Sequence, residues 1–311
     1  MASIPLILDC DPGHDDALAI VLALARPELR PLAITTVAGN APLDRTTRNA
    51  LRVLTLLGRS DVPVAAGAAS PILREAWVPV DVHGASGLDG ADLPEPAFGP
   101  VERTALELAI ALLREAEEPV TLVATGPLTN IALLLRAAPS LHERIAGIWL
   151  MGGSLSEGNT TPSAEFNIWA DPEAAAIVFA SGIAIWMAGL DVTHQALVLP
   201  DDIARLDGLG TRAGSVFADL MRFFGIHHRE RYDWDGPPIH DAVAVAWLAQ
   251  PDLVGSETMR IDVETAGVET RGRTVADRAG TTGRKPNAEV GLEIDRSRLM
   301  DIVVDAVGRF A

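Results

Sequence analysis

Short apolar runs and apolar helical stretches take turns along this chain, and that alternation limits the fold more than any other feature. Residues 4–8 read as a buried strand, and "DALAIVLALAR" (16–26) as a helix stopped by Pro27. "LRPLAITTVAGN" follows as a second strand and a loop, then "TRNALRVLTLLG" as a helix with Gly58 at its C-terminal cap, then "VPVAAG" as a short strand. The pattern continues with "ERTALELAIALLREAEE" (helix), "VTLVATG" (strand), "LTNIALLLRAAP" (helix) and "IAGIWLMGG" (strand). "DPEAAAIVFAS" is a helix with Asp171 as cap and Pro172 in its first position, and "AIWMAGLDVT" is another strand. Strands that are apolar throughout, rather than at every second residue, belong to a parallel sheet covered on both faces.

The tail differs. "RIDVETAG", "ETRGRTVADR" and "AEVGLEID", between about Met259 and Asp295, read as antiparallel strands on the sheet's edge, and "RSRLMDIVVDAVGRF" closes as a helix. The expected fold is α/β: a mostly parallel, Rossmann-like sheet flanked by helices, with antiparallel strands near the C-terminus. Internal repeats, low-complexity segments and long linkers are missing from the sequence, so one domain over residues 1–311 is expected.

Composition narrows the function classes. A net charge of −17 argues against a protein built to grip nucleic-acid backbones. The single cysteine, Cys10, allows no intrachain disulfide. The chain contains no uncharged apolar run of about 18 residues, the length a membrane span needs. "MASIPLILDCD" lacks the basic and long apolar regions of a signal peptide. A cytoplasmic protein with neither a membrane nor a nucleic-acid partner is expected.

In open parallel sheets, ligands bind beyond the carboxyl ends of the strands. At those ends this sequence places Asp9 and Asp11, Asn40, Thr125, Met151 and Asp191. The first of these belongs to "LILDCDPGHDDALAI", where Asp9, Asp11, Asp15 and Asp16 crowd together. One aspartate there could be a mere helix cap; four between an apolar strand and an apolar helix need a positive partner. Oxygen-only ligands imply a hard divalent cation, Ca²⁺ or Mg²⁺. The spacing is not that of an EF-hand, so further ligands must come from distant segments; Asp241, opening "HDAVAVAWLAQ" behind His240, offers one. "VHGASGLDG" puts His83 in a glycine-rich loop, and "EGNTTPSAEFNIWADP" presents Asn159, Glu165 and Asn167, a set suited to a polyhydroxylated ligand.

Taken together, "DCDPGHDDALAI", "TTVAGN", "VHGASGL", "VATGPLTNIA", "MGG", "GNTTPSAEFNIWADPEAA", "GLDVT" and "HDAVAVA" resemble the nucleoside hydrolases, in particular the inosine-uridine preferring type, over nearly the whole chain. The resemblance implies hydrolysis of the N-glycosidic bond of ribonucleosides to free base and ribose. It implies a Ca²⁺ ion held by Asp11, Asp16, the main-chain carbonyl of Thr125, and Asp241, with Asp11 as general base. It places Asp15, Asn40, Met151, Asn159, Glu165 and Asn167 around the ribose. His83 and His240 would face the base, which points to the inosine-uridine or pyrimidine branch, and His240 would assist its departure. "MRFFGIHHRERYDWDGPPIHD" corresponds to a mobile flap over the base. Tyr232 matches the flap's tyrosine, whereas His228 stands where glutamine or tyrosine is expected. Assembly as a homodimer or homotetramer is implied by the same analogy.

Three other readings compete. A metal-dependent phosphohydrolase would use Asp9 or Asp11 as nucleophile, but would want a lysine near the phosphate, and the only lysine, Lys285, falls in the tail. A non-catalytic ribose- or nucleoside-binding protein would not need the intact acidic set. A phosphorolytic enzyme would require added phosphate.

Overall fold

The computed structural model describes residues 3–78, 84 and 86–310. Its strands are β1 (Ile4–Cys10), β2 (Leu29–Thr36), β3 (Val64–Ala66), β4 (Val120–Ala124), β5 (Ile145–Met151), β6 (Ile185–Ala188), β7 (Val254–Val263), β8 (Thr274–Asp277) and β9 (Ala288–Ile294). The α-helices are α1 (His14–Ala25), α2 (Leu43–Leu56), α3 (Ala105–Glu115), α4 (Thr129–Ala137), α5 (Phe166–Ala170), α6 (Pro172–Phe179), α7 (Leu190–Thr193), α8 (Pro200–Asp207), α9 (Arg212–Tyr232), α10 (His240–Ala249) and α11 (Arg296–Gly308).

All nine strands join one sheet in the order β3-β2-β1-β4-β5-β6-β9-β7-β8. From β3 to β6 every pairing is parallel. The expected antiparallel tail is present, with one refinement: β9 runs parallel to β6, and β7 alone is reversed, pairing antiparallel with both β9 and β8. The chain steps outward in one direction from β1 and in the other from β4. The crevice beyond the carboxyl ends of these two neighbours is therefore the topological switch point.

Apolar packing covers both faces. Leu6, Leu8 and Val123 point into the layer formed by α1, α10 and α11, whereas Ile7, Leu122 and Ala124 point into the layer of α3, α4 and α6. Burying each leucine or isoleucine side chain contributes roughly 1.5–3 kcal/mol. Helix α1 is buried on every side, as a helix apolar all round must be. It packs directly on α10, so the first turns of both helices reach the same end of the sheet. Local signals fix the helix starts. Thr104 and Glu107 form a reciprocal capping box on α3, and Asp171 accepts the Ala174 N–H ahead of Pro172 on α6.

One expectation needs correction. The strand predicted to run to Asp191 stops at Ala188, and Gly189 starts the single turn α7. Asp191 then accepts from the Leu155 N–H at 2.7 Å and the Ser156 hydroxyl at 2.9 Å, so it anchors a loop instead of facing the crevice. In the segment that corresponds to the flap, α9 continues to Tyr232, and only 233–239 is non-helical.

Candidate active site

A cavity of about 600 Å³ opens at the switch point. Its floor is acidic. Asp15 and Asp16 begin α1 and Asp241 begins α10, and each offers a carboxylate oxygen within 4.8 Å of the others. Asp11 follows β1 and lies beneath them, fully buried. The Asn40 N–H donates to Asp11 Oδ2 at 2.6 Å, and its Nδ2 reaches Asp16 Oδ2 at 3.2 Å. Asp16 also accepts from the Gly13 N–H (3.0 Å) and the Thr125 hydroxyl (2.8 Å). A Cβ on Gly39 would fall 2.1 Å from Asp11 Oδ2, and one on Gly126 would fall 2.4 Å from Oδ1. Only glycine at both positions lets the backbone close on this carboxylate.

The electrostatics of the floor ask for a cation. Burial first, and then the charge of Asp16, pushes Asp15 up to about 7 and Asp11 well above the usual carboxylate range. Burial raises Asp16 as well, and it raises Asp241 together with the charges of Asp15, Asp16 and Asp11. Like charges this close in a dry site cannot all ionise unaided. Asp11 Oδ1 is buried and, among the described residues, has no hydrogen-bond partner. Oxygen-only donors, an orphaned carboxylate oxygen and mutual repulsion together fit a hard divalent cation. Two helix N-termini at the floor supply partial positive charge but not a full one.

One wall is amide- and carboxylate-rich. Glu165 caps α5, accepting from Asn167 N–H (2.9 Å), Gly153 N–H (2.9 Å) and Ile168 N–H (3.2 Å). Burial outweighs these bonds and pushes Glu165 up to about 7. Asn167 Nδ2 donates to the Thr125 carbonyl at 2.8 Å and to that of Met151 at 3.2 Å. Asn159 Oδ1 accepts the Phe166 N–H at 2.9 Å, which fixes the loop ahead of α5.

The opposite wall is aromatic and basic. Near the end of α9, His228 Nδ1 pairs with the Phe224 carbonyl at 3.0 Å, and burial pushes this histidine down to about 4. Asp233 follows in the left-handed region (φ 56°), the one non-glycine residue there among those described. That turn folds Trp234 back so that its ring stacks with Tyr232 (centroids 4.8 Å apart) and His228 (5.8 Å). His194 meets Trp234 edge-on at 4.9 Å and His240 at 5.6 Å. His240 Nδ1 lies 2.7 Å from the Thr193 hydroxyl.

Asp15, Asn40, Thr125, Met151, Asn159, Glu165, Asn167, His228, Tyr232, His240 and Asp241 all line this one cavity. Asp11 and Asp16 sit under its floor, and Asp15 joins Asp16 and Asp241 in the carboxylate trio. His83 lies outside the described residues. Sequence reasoning missed Trp77, His194, Phe224, Arg231 and Trp234, which also line the cavity. Trp234 stands two residues from Tyr232, and His194 directly follows "GLDVT"; those neighbours were the available signals.

The chain belongs to the nucleoside hydrolase family. Residues 6–301 match the family described as inosine-uridine preferring nucleoside hydrolase. The chain is 52% identical over 310 residues to the pyrimidine-specific ribonucleoside hydrolase RihA of Escherichia coli, covering 99% of this chain and 100% of that one. It is 51% identical to the RihA of an Enterobacter species, covering 99% of each. Among solved structures, the purine-preferring ribonucleoside hydrolase from Gardnerella vaginalis superposes with a TM-score of 0.92 at 33% identity, over 98% of both chains. The protein is a ribonucleoside hydrolase.

Proposed function

We propose that this hydrolase prefers pyrimidine ribonucleosides and works with a resident Ca²⁺. The observation that carries the reading is the mixed lining of this cavity, which brings carboxylates (Asp15, Glu165, Asp241) and amides (Asn40, Asn159, Asn167) together with histidines and aromatic rings. A ribonucleoside presents hydroxyls at one end and a flat base at the other, so it fits in one orientation.

Asp11, Asp16, Asp241 and the Thr125 carbonyl would hold the ion, which when bound acidifies water and orients vicinal hydroxyls. Asp15, already beside Asp16 and Asp241, is placed to serve the same hydroxyls together with Asn40. Asp11 takes the proton of the attacking water on its unpartnered Oδ1. Positive charge grows on the ribose as the bond breaks, and Glu165, Asn159 and Asn167 stabilise it from one side with Met151 packed beneath. His240 gives a proton to the departing base, with Tyr232 and His228 against its plane. Pyrimidine preference is supported by the RihA relatives, and by Tyr232, which matches the tyrosine of pyrimidine-preferring members. Cytoplasmic location and assembly as a homodimer or homotetramer belong to the same proposal and rest on the family likeness; among the described residues no helix is long and apolar enough to cross a membrane.

Uridine, cytidine and inosine should be compared for ribose release, with and without chelator. At least tenfold higher kcat/KM for the pyrimidines, worth about 1.4 kcal/mol, is expected. Preference for inosine overturns the base assignment, and full turnover in a preparation shown metal-free by elemental analysis overturns the metal.

A further inference from the structure

The mechanism leaves one buried contact unused. Thr193 ends α7 fully buried, and its hydroxyl lies 2.7 Å from His240 Nδ1. Its place is fixed from both sides. The Thr193 N–H donates to the Gly189 carbonyl at 3.0 Å, closing the α7 turn, and the Ile239 N–H donates to the Ala196 carbonyl at 3.0 Å, tying the segment before His240 to the same region. The contact therefore links two rigid pieces of backbone.

Its chemistry bears on the leaving group. The hydrogen bond made by one imidazole nitrogen sets the ring's orientation and what the other nitrogen can carry. With Nδ1 engaged by Thr193, Nε2 is the nitrogen through which His240 can address a base in the cavity it lines. A hydroxyl has one donor and two acceptor sites, so it serves both states of the ring. It accepts from Nδ1–H while the ring is an imidazolium. When Nε2–H passes its proton to the departing base, the neutral ring keeps Nδ1–H and the same bond survives. Should the ring act as a neutral Nε2–H donor, the hydroxyl turns and donates to Nδ1.

We infer that Thr193 is a positioning residue for leaving-group activation: it holds the His240 ring with Nε2 toward the base. The inference rests on the proposed role of His240 in protonating the base.

Thr193→Val removes the hydroxyl and Thr193→Ser keeps it; Thr193→Ala replaces the valine variant if that one does not fold. Each is assayed in the metal-loaded enzyme with the best nucleoside substrate and with a nitrophenyl riboside, whose leaving group departs without protonation. Losing the bond should lower nucleoside kcat about tenfold, the size of one good hydrogen bond, with little change in KM. The riboside should be nearly unaffected, and serine should restore most of the loss. In a His240→Ala background the valine variant should cost nothing more. Equal loss on both substrates, an unchanged nucleoside kcat, a serine variant as poor as valine, or additive loss with His240→Ala each overturns the inference. If His240→Ala alone slows both substrates equally, the leaving-group role of His240 falls, and this inference with it. If His240→Ala is selective for the nucleoside and Thr193→Val is not, only Thr193 is removed.

Discussion

The side-chain amide of Asn167 donates to the main-chain carbonyl of Thr125 at 2.8 Å, joining the amide wall of the cavity to its acidic floor. A carbonyl oxygen has two lone pairs, so one remains for a cation while Asn167 fixes the direction in which it points. Residues that orient ligands in this way typically carry about 10–100-fold in metal affinity or activity. Asn167→Ala should therefore raise the Ca²⁺ concentration needed for half-maximal activity as well as KM for nucleoside. A calcium titration of activity at saturating substrate checks the first effect. An unchanged midpoint would confine Asn167 to the substrate.

The floor predicts how stability should respond to metal and pH together. Burial raises Asp11, Asp15, Asp16 and Asp241, and the charges of neighbouring carboxylates add to it at Asp11, Asp15 and Asp241, with Asp15 reaching about 7. Between pH 4 and 7 the metal-free fold thus binds more of these protons than the unfolded chain, so their contribution to stability falls as pH rises through that window. A bound cation removes the penalty. Thermal unfolding with and without Ca²⁺ should show a large gap in Tm at pH 8 that shrinks towards pH 5. A gap that is constant, or widest at pH 5, contradicts a cation among these carboxylates.

Asp11→Asn keeps the shape of the side chain and removes both basicity and a negative charge. A fall in kcat of at least about 10²-fold is expected, the lower range for lost general-base catalysis. Nucleoside and nitrophenyl riboside should suffer alike, because both need the attacking water. Calcium binding to the variant, measured by calorimetry, separates lost basicity from lost metal.

Asp233 is the hinge of the aromatic wall. In its left-handed conformation a β-branched residue is strained, so Asp233→Val should cost on the order of 1–3 kcal/mol or drive the turn to another geometry. Because Trp234 depends on that turn to stack on Tyr232 and His228, KM for the nucleoside should rise while Asp233→Gly stays near wild type. Urea unfolding and steady-state kinetics on both variants provide the check.

Much of this was legible in the residues because local chemistry dictated it. The apolar strands, the Asp171 cap ahead of Pro172 and the aspartates flanking the first turn of α1 each announce their structure over a few positions. The Asp191 misplacement shows where local reading stops. Leu190, Val192 and Thr193 extend an apolar strand pattern, yet the Gly189 carbonyl captures the N–H groups of Val192 and Thr193 and turns the chain into α7. The aromatic wall was less legible still. His194, Trp234 and His240 come from separated segments, and their meeting depends on the path of the chain around the sheet. The length of α9 was not legible, because its buried positions, such as Phe217, Met221, Phe224 and His228, mark one helix face only once the partner surface is known.

The two ends of the cavity are built from material of different tolerance. The carboxylate floor hangs on β1, α1 and α10, which are buried almost throughout, and glycines at 39 and 126 leave no room beside Asp11 even for a methyl group. Apart from His194 and His240, the base wall hangs on the last turn of α9 and the residues after it, where Arg231 and Asp233 face solvent. Amide exchange near Asp16 should accordingly approach the slowness of global unfolding, while exchange near Tyr232 reflects local fraying. Substitutions can accumulate at one end without threatening the other. A lineage carrying this fold is therefore free to change which base it accepts long before it can change what it does to the sugar.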